Sequence, residues 1–120
     1  MALQHVVLFS FPDGPSPQQS GEIRAHIAEW PDAIPGISAL RFGEALFDDR
    51  TRGYQFLLYM EFDGVDALRG YQAHPVHQKF LSWVIENNIT PLAFDYHLDA
   101  ETVLIPPTTE LPTGELSTKE

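Results

Sequence analysis

Apolar residues recur along this chain in two rhythms, one of period two and one near 3.6, and their order predicts the architecture. Leu3 to Phe11 reads as a strand, with His5, Val7, Phe9 and Phe11 on one face and Val6 and Leu8 on the other. Pro12-Asp13-Gly14-Pro15 stops it. Ser16 is a suitable N-cap and Pro17 a suitable first residue for a helix. Ile23, Ile27, Trp30 and Ile34 form one stripe on that helix, which Pro31 and Pro35 bring to an end. A second extended segment runs from about Ile37 to Phe47, and the polar turn Asp48–Gly53 leads to a third strand, Tyr54 to Phe62, apolar on both faces. A short helix is predicted over Gly64 to Gln72. His74-Pro75 then opens another, to about Asn88, with Phe80, Leu81, Val84 and Ile85 as its apolar face. Pro91 to Leu98 closes the pattern as a fourth strand.

The order βαββαβ, with its second helix split at Pro75, predicts a ferredoxin-like α+β domain over residues 1–98. In that fold the helices cover one sheet face and leave the other to water. Here the second face is apolar too, so a second copy of the sheet is expected to cover it, giving a homodimer in which two protomers form an α+β barrel. From Asp99 to Glu120 the composition shifts to prolines and acids, with no aromatic residue. This stretch reads as a loosely held tail, or as a strap from Val103 to Leu111 over the partner.

Composition narrows the function classes. A chain of 120 residues, 43% hydrophobic and 20% charged, is one globular domain. The absence of cysteine removes thiolate catalysis, Cys-based zinc sites and disulfides. Seven Lys+Arg against seventeen Asp+Glu give a net charge of -10, and the cations form no stripe, so neither nucleic acid nor an anionic membrane is an expected partner. The N-terminus has no basic segment before its short apolar run, so the expected address is the cytoplasm.

Candidate chemistry concentrates in Tyr71-Gln72-Ala73-His74-Pro75-Val76-His77-Gln78-Lys79-Phe80. In a helix that starts at Pro75, His77 shares a face with Phe80, Leu81 and Val84 and turns toward the sheet. Tyr71 approaches it across the break. Such a pair can move a proton: the imidazole accepts one, and the phenol donates one or holds an oxyanion. Asp95 or His5 is then a third element, fixing the His77 tautomer through its second ring nitrogen. The competing reading is a satisfied core histidine with Tyr71 as packing. His74 reads as a helix-boundary residue, and His26 and His97 as surface or edge residues. A metal site of His74 and His77, joined by His5, His97 or Asp95, competes too, but no HExxH or EF-hand pattern is present, and no metal or cofactor is expected. No glycine-rich phosphate loop or nucleophile elbow occurs.

His5-Val6-Val7-Leu8-Phe9, Ile34-Pro35-Gly36-Ile37, Tyr71 to His77 and Phe94-Asp95-Tyr96 together resemble the stress-responsive dimeric A/B barrel (Dabb) family. The likeness spans roughly Leu3 to His97. It implies a ferredoxin-like protomer and a dimer whose two sheets face each other. Members include plant stress proteins, a hydroxynitrile lyase and a polyketide cyclase. In the cyclase the matching tyrosine and histidine are the acid–base pair, which implies Tyr71 and His77 here as catalytic residues, supported by His5 and Asp95. Phe56 and Ile27 stand where the cyclase has a histidine and a tyrosine, so the expected pocket is more apolar. Val7, Phe9, Ile27, Phe56, His74, Phe80 and Val84 are its expected lining. The resulting expectation is an enzyme doing cofactor-free acid–base chemistry on a small apolar carbonyl compound, as a cyclase, isomerase or lyase. The alternative is a non-enzymatic stress or ligand-binding barrel. A haem- and flavin-free monooxygenase is a third reading, on fold analogy alone.

Overall fold

Strand β1 (Leu3–Ser10) lies inside a four-stranded antiparallel sheet of order β2-β3-β1-β4, whose other members are β2 (Ile37–Glu44), β3 (Phe56–Phe62) and β4 (Thr90–His97). The coordinates are a computed structural model and describe residues 1–106. Because β1 and β2 both run antiparallel to β3, they are parallel to each other, and the first crossover carries α1 (Pro17–Ala28) and α2 (Trp30–Ala33). The second joins β3 to β4 through α3 (Val65–Ala73) and α4 (Pro75–Glu86). This is the ferredoxin-like α+β topology expected from the sequence.

Local chemistry sets the element ends. Ser16 and Gln19 form a reciprocal capping box: the Ser16 hydroxyl accepts the Gln19 N–H at 3.0 Å, and the Gln19 amide oxygen accepts the Ser16 N–H at 2.9 Å. Pro31 stands in the first turn of α2, where a missing N–H breaks no intrahelical bond. The stripe Ile23, Ile27, Trp30 and Ile34 therefore runs unbroken into the core. Strand β2 ends at Glu44 rather than Phe47, and both Leu46 and Phe47 are exposed in the turn that follows.

The core lies between the helices and one sheet face. Leu3, His5, Val7 and Phe9 of β1 and Phe56, Leu58, Met60 and Phe62 of β3 point into it. Ile23, Ile27, Trp30, Leu68, Tyr71, Phe80 and Val84 close it from the helix side. Helix α4 departs from expectation: His77, Phe80 and Val84 are buried, but Leu81 is half-buried and Ile85 is 74% exposed. At 3.6 residues per turn, Ile85 points about 100° away from Val84, beyond the stripe that the sheet can cover.

The opposite sheet face is open in the protomer. Val6 and Leu8 are half-buried there, while Leu57 is 41%, Leu92 51% and Phe94 68% exposed. Its other end is polar: the Gln4 amide donates to the Tyr59 hydroxyl at 2.6 Å, Tyr59 donates to Glu61, and Tyr96 donates to Gln4. Beyond β4, Leu98 N–H donates to Ala2 C=O at 2.8 Å, and an Asp99–Thr102 turn follows. Of the anticipated strap, Leu104 and Ile105 stand exposed, and Leu111, like the rest of 107–120, lies outside the described residues. Among the described residues no helix is long and apolar enough to cross a membrane.

The contrast along α4 is measurable by chemical denaturation. Phe80→Ala, at 2% exposure, is expected to cost about 3–5 kcal/mol, and Ile85→Ala to stay within about 0.5 kcal/mol of the parent. Equal losses would show that Ile85 is covered in the protein as it exists in solution.

Candidate active site

The site begins with a broken helix. Pro75 has no N–H, and His74 ahead of it is extended (φ -65°, ψ 137°), so α3 stops at Ala73. His74 N–H turns back to Tyr71 C=O at 3.2 Å, and the Val76 N–H donates to His74 Nδ1 at 3.1 Å, which makes His74 the N-cap of α4. In a continuous helix the Val76 N–H would have gone to the carbonyl of Gln72. That carbonyl is instead met by two side chains, His77 Nδ1 at 3.2 Å and the Gln78 amide at 2.6 Å.

A carbonyl only accepts, so Nδ1 of His77 carries the proton and Nε2 of the neutral ring keeps its lone pair. His77 is 7% exposed, and burial holds its pKa below the ordinary value of 6.5. The Gln72 carbonyl pulls the other way and the nearby His5 adds to the lowering. Tyr71, from the last turn of α3, lies with its ring centroid 4.2 Å from that of His77. Burial, then the charge of Asp95, pushes the phenol pKa well up, so Tyr71 keeps its proton.

On the other side of Tyr71, at 5.6 Å between ring centroids, stands His5. It faces the helices from the middle of β1, directly opposite Asp95 of β4, and its Nδ1 pairs with the Asp95 carboxylate. The Asp95 side chain is 40% exposed and His5 is buried, so the pair links the interior to solvent. Trp30 completes the cluster, edge-on to both Tyr71 (5.4 Å) and His77 (5.6 Å). Its indole N–H is buried without a hydrogen-bond partner among the described residues.

The structure thus brings Tyr71, His77, His5 and Asp95 together, and changes one expected link. The His77 tautomer is fixed by the Gln72 carbonyl; Asp95 and His5 are occupied with each other. Sequence reasoning missed that carbonyl, although the signal was present: a proline four residues after Tyr71 strips the carbonyls before it of helical partners. Trp30 was read as part of a core stripe, not as a wall of the site. The expected lining is distributed differently too. Val7, Phe9, Ile27, Phe56, Phe80 and Val84 are packed in the core against one another, Phe9 on Phe80 and Phe56 on Phe42. His74 is engaged as the N-cap of α4, and His26 is half-buried against Phe80 and Trp83 rather than free at the surface.

A four-stranded antiparallel sheet covered on one face by helices places the chain in the ferredoxin-like α+β class. The chain belongs to the family described as Stress responsive A/B Barrel Domain, whose profile matches residues 3–98. It is 28% identical over 95 residues to the stress-response A/B barrel domain-containing protein HS1 of Arabidopsis thaliana, covering 78% of this chain and 87% of that protein. Among solved structures it is similar to a dimeric ferredoxin-like protein of unknown function from Thermobifida fusca (28% identity, TM-score 0.71, 82% of this chain and 92% of that one). It also shares its fold with a hydroxynitrile lyase from Passiflora edulis (16% identity, TM-score 0.72, 82% and 94%).

Burial of His77 has a pH signature. With its folded pKa below 6.5, the unfolded chain binds more protons as pH falls past 6.5, so stability declines from there down to the folded pKa and is steady with respect to this group above 6.5. His26, also lowered mainly by burial, acts in the same direction. Urea denaturation at about pH 7.5 and about pH 5.5 should show a smaller acid-induced loss for His77→Gln than for the parent. An equal loss in both would show that His77 is protonated as readily in the folded chain as in the unfolded one.

Proposed function

We propose that two copies of the chain associate through their open sheet faces and that each uses Tyr71 and His77 for cofactor-free proton transfer on a small, mainly apolar carbonyl compound. The observation that carries this reading is the His77 side chain, with Nδ1 committed to the Gln72 carbonyl and burial keeping the ring neutral. Nε2 is then a free base at neutral pH. It removes a proton from the carbon next to the carbonyl. The Tyr71 phenol, held protonated, donates a hydrogen bond to the enolate oxygen that forms. His5 and Asp95 support Tyr71 from its other side. Cyclisation, isomerisation and carbonyl-addition lyase chemistry share this step. Exposed Leu57, Leu92 and Phe94 favour the association, since each remains wet in a lone protomer.

A second reading, a non-enzymatic stress or ligand-binding barrel, has its own support. Val7, Phe9, Ile27, Phe56, Phe80 and Val84 fill the core beside the pair, and a substrate lodged there has to displace them. Tyr71, His77 and Asp95 then serve as a structural network that locks the broken helix onto the sheet.

Deuterium exchange at the acidic carbon of a β-diketone, followed by NMR, separates the two. Under the first reading His77→Gln and Tyr71→Phe each lower the exchange rate by about 10²-fold or more, with the fold retained. Exchange unaltered in both variants, alongside a stability loss of about 1–3 kcal/mol, supports the second. Light scattering on the parent should give twice the protomer mass of 13.5 kDa, and a stable monomer at micromolar concentration would refute the association.

A further inference from the structure

On the helix side of the sheet, three rings with polar atoms meet in a triangle. The ring centroids lie 5.4 Å apart from Trp30 to Tyr71, 5.6 Å from Trp30 to His77 and 4.2 Å from Tyr71 to His77. Trp30 is wholly buried, and its Nε1 is the one buried side-chain nitrogen or oxygen among the described residues without a hydrogen bond. The other indole, that of half-buried Trp83, donates to the Glu22 carboxylate at 3.1 Å. The chain thus pairs the tryptophan nearer to water and leaves unpaired the one that water does not reach. That is the reverse of what stability alone selects.

The backbone holds Trp30 firmly in this place. Helix α2 is a single turn that opens on Trp30 with Pro31 next, and the Ile34 N–H closes it on the Trp30 carbonyl at 2.9 Å. Edge-on around the indole stand Tyr71, His77 and Phe80, the last with its ring centroid 5.2 Å away. Of these three, only Tyr71 and His77 carry polar side-chain atoms. One is a phenol held protonated, the other an imidazole whose Nδ1 is committed to the Gln72 carbonyl. A donor that meets no acceptor in the folded chain is complementary to an acceptor brought by a ligand.

We infer, resting on the acid–base reading of this cluster, that the Trp30 indole N–H is a second donor of the site and bonds the same carbonyl oxygen as the Tyr71 phenol. A carbonyl oxygen has two lone pairs and accepts from both. As the proton on the neighbouring carbon passes to His77 Nε2, the electron pair of that C–H bond moves onto the oxygen. Both donors then bond more strongly, because the charge collects where they point. The imidazolium returns a proton to the carbon, and the indole gives up none. Since an indole N–H donates and cannot accept, the site selects compounds with a bare oxygen acceptor, such as ketones and dicarbonyls.

Indole N–H NMR of the full chain tests this, with acetylacetone as the probe and cyclohexane as the apolar control. Trp83→Phe assigns the two indole signals. Acetylacetone should move the Trp30 signal downfield and saturably, and cyclohexane should not. His77→Gln should keep that shift while losing exchange, so binding and proton transfer are read separately. Trp30→Phe should slow deuterium exchange of acetylacetone at least about tenfold. Where Trp30→Phe does not fold, the signal in the parent decides. A Trp30 signal that acetylacetone leaves in place, or that cyclohexane moves as far, overturns the assignment and leaves the N–H lying against a ring face. Exchange in Trp30→Phe equal to the parent's also overturns it, even with exchange abolished in His77→Gln and the acid–base reading intact. An acetylacetone-dependent shift in a parent that catalyses no exchange sinks the acid–base reading and sustains Trp30 as a donor to a bound oxygen.

Discussion

The site depends on one missing hydrogen atom, the amide proton that Pro75 lacks. Without it α3 cannot continue into α4, and the last carbonyls of α3 lose their helical partners. The Gln78 amide and the His77 ring N–H both donate to the freed Gln72 carbonyl, the His74 N–H turns to the Tyr71 carbonyl, and the His74 side chain accepts the Val76 N–H. The imidazole therefore arrives in the interior with one nitrogen already assigned. A helix without the break would carry Tyr71 and His77 six residues apart on diverging faces; the break lets their rings meet at 4.2 Å. Ring geometry and tautomer thus trace back to one residue that makes no side-chain hydrogen bond of its own, while burial favours the neutral imidazole against the pull of the Gln72 carbonyl.

The sheet supplies the complementary half. Alternation sends His5 inward between Leu3 and Val7, and the antiparallel pairing of β1 with β4 sets Asp95 directly opposite. The same alternation sends Val6, Leu8, Leu57, Leu92 and Phe94 outward, so one strand rhythm builds both a buried polar cluster and an open apolar face. The two faces have separate chemistries. The inner one keeps charge scarce and pKa values displaced, while the outer one ends in a polar chain at Gln4 and Tyr59 and in arginines beside Leu57.

Much of this was legible in the sequence. Period-two runs in β1 and β3, and the stripe Ile23, Ile27, Trp30 and Ile34, give the topology, because each is long and bounded by proline or glycine. His77 reads as inward-facing from its spacing to Phe80 and Val84. Ile85 was misplaced because a run of apolar residues does not say how wide a stripe the sheet can cover. The partner of His77 was misassigned because residue patterns describe side chains, and the acceptor is a backbone carbonyl. The packing of Phe9 on Phe80 and of Phe56 on Phe11 depends on three-dimensional fit, which no one-dimensional pattern encodes.

The His5–Asp95 pair also bears on how the chain finds its fold. Strand β4 is an edge strand that joins the sheet last in sequence and bonds to β1 alone, and its side chains are mostly exposed. Hydrophobic burial therefore does little to choose its alignment. A slip of one residue would set Phe94 or Tyr96 opposite His5, leave the imidazole without its carboxylate, turn Asp95 out opposite Gln4 or Val6, and turn Leu92 inward. Each error is penalised on both faces of the sheet at once. The His5–Asp95 contact beside the candidate catalytic residues thus acts as a proofreading contact for the last strand to dock, and a chain that has seated β4 wrongly has no complete site.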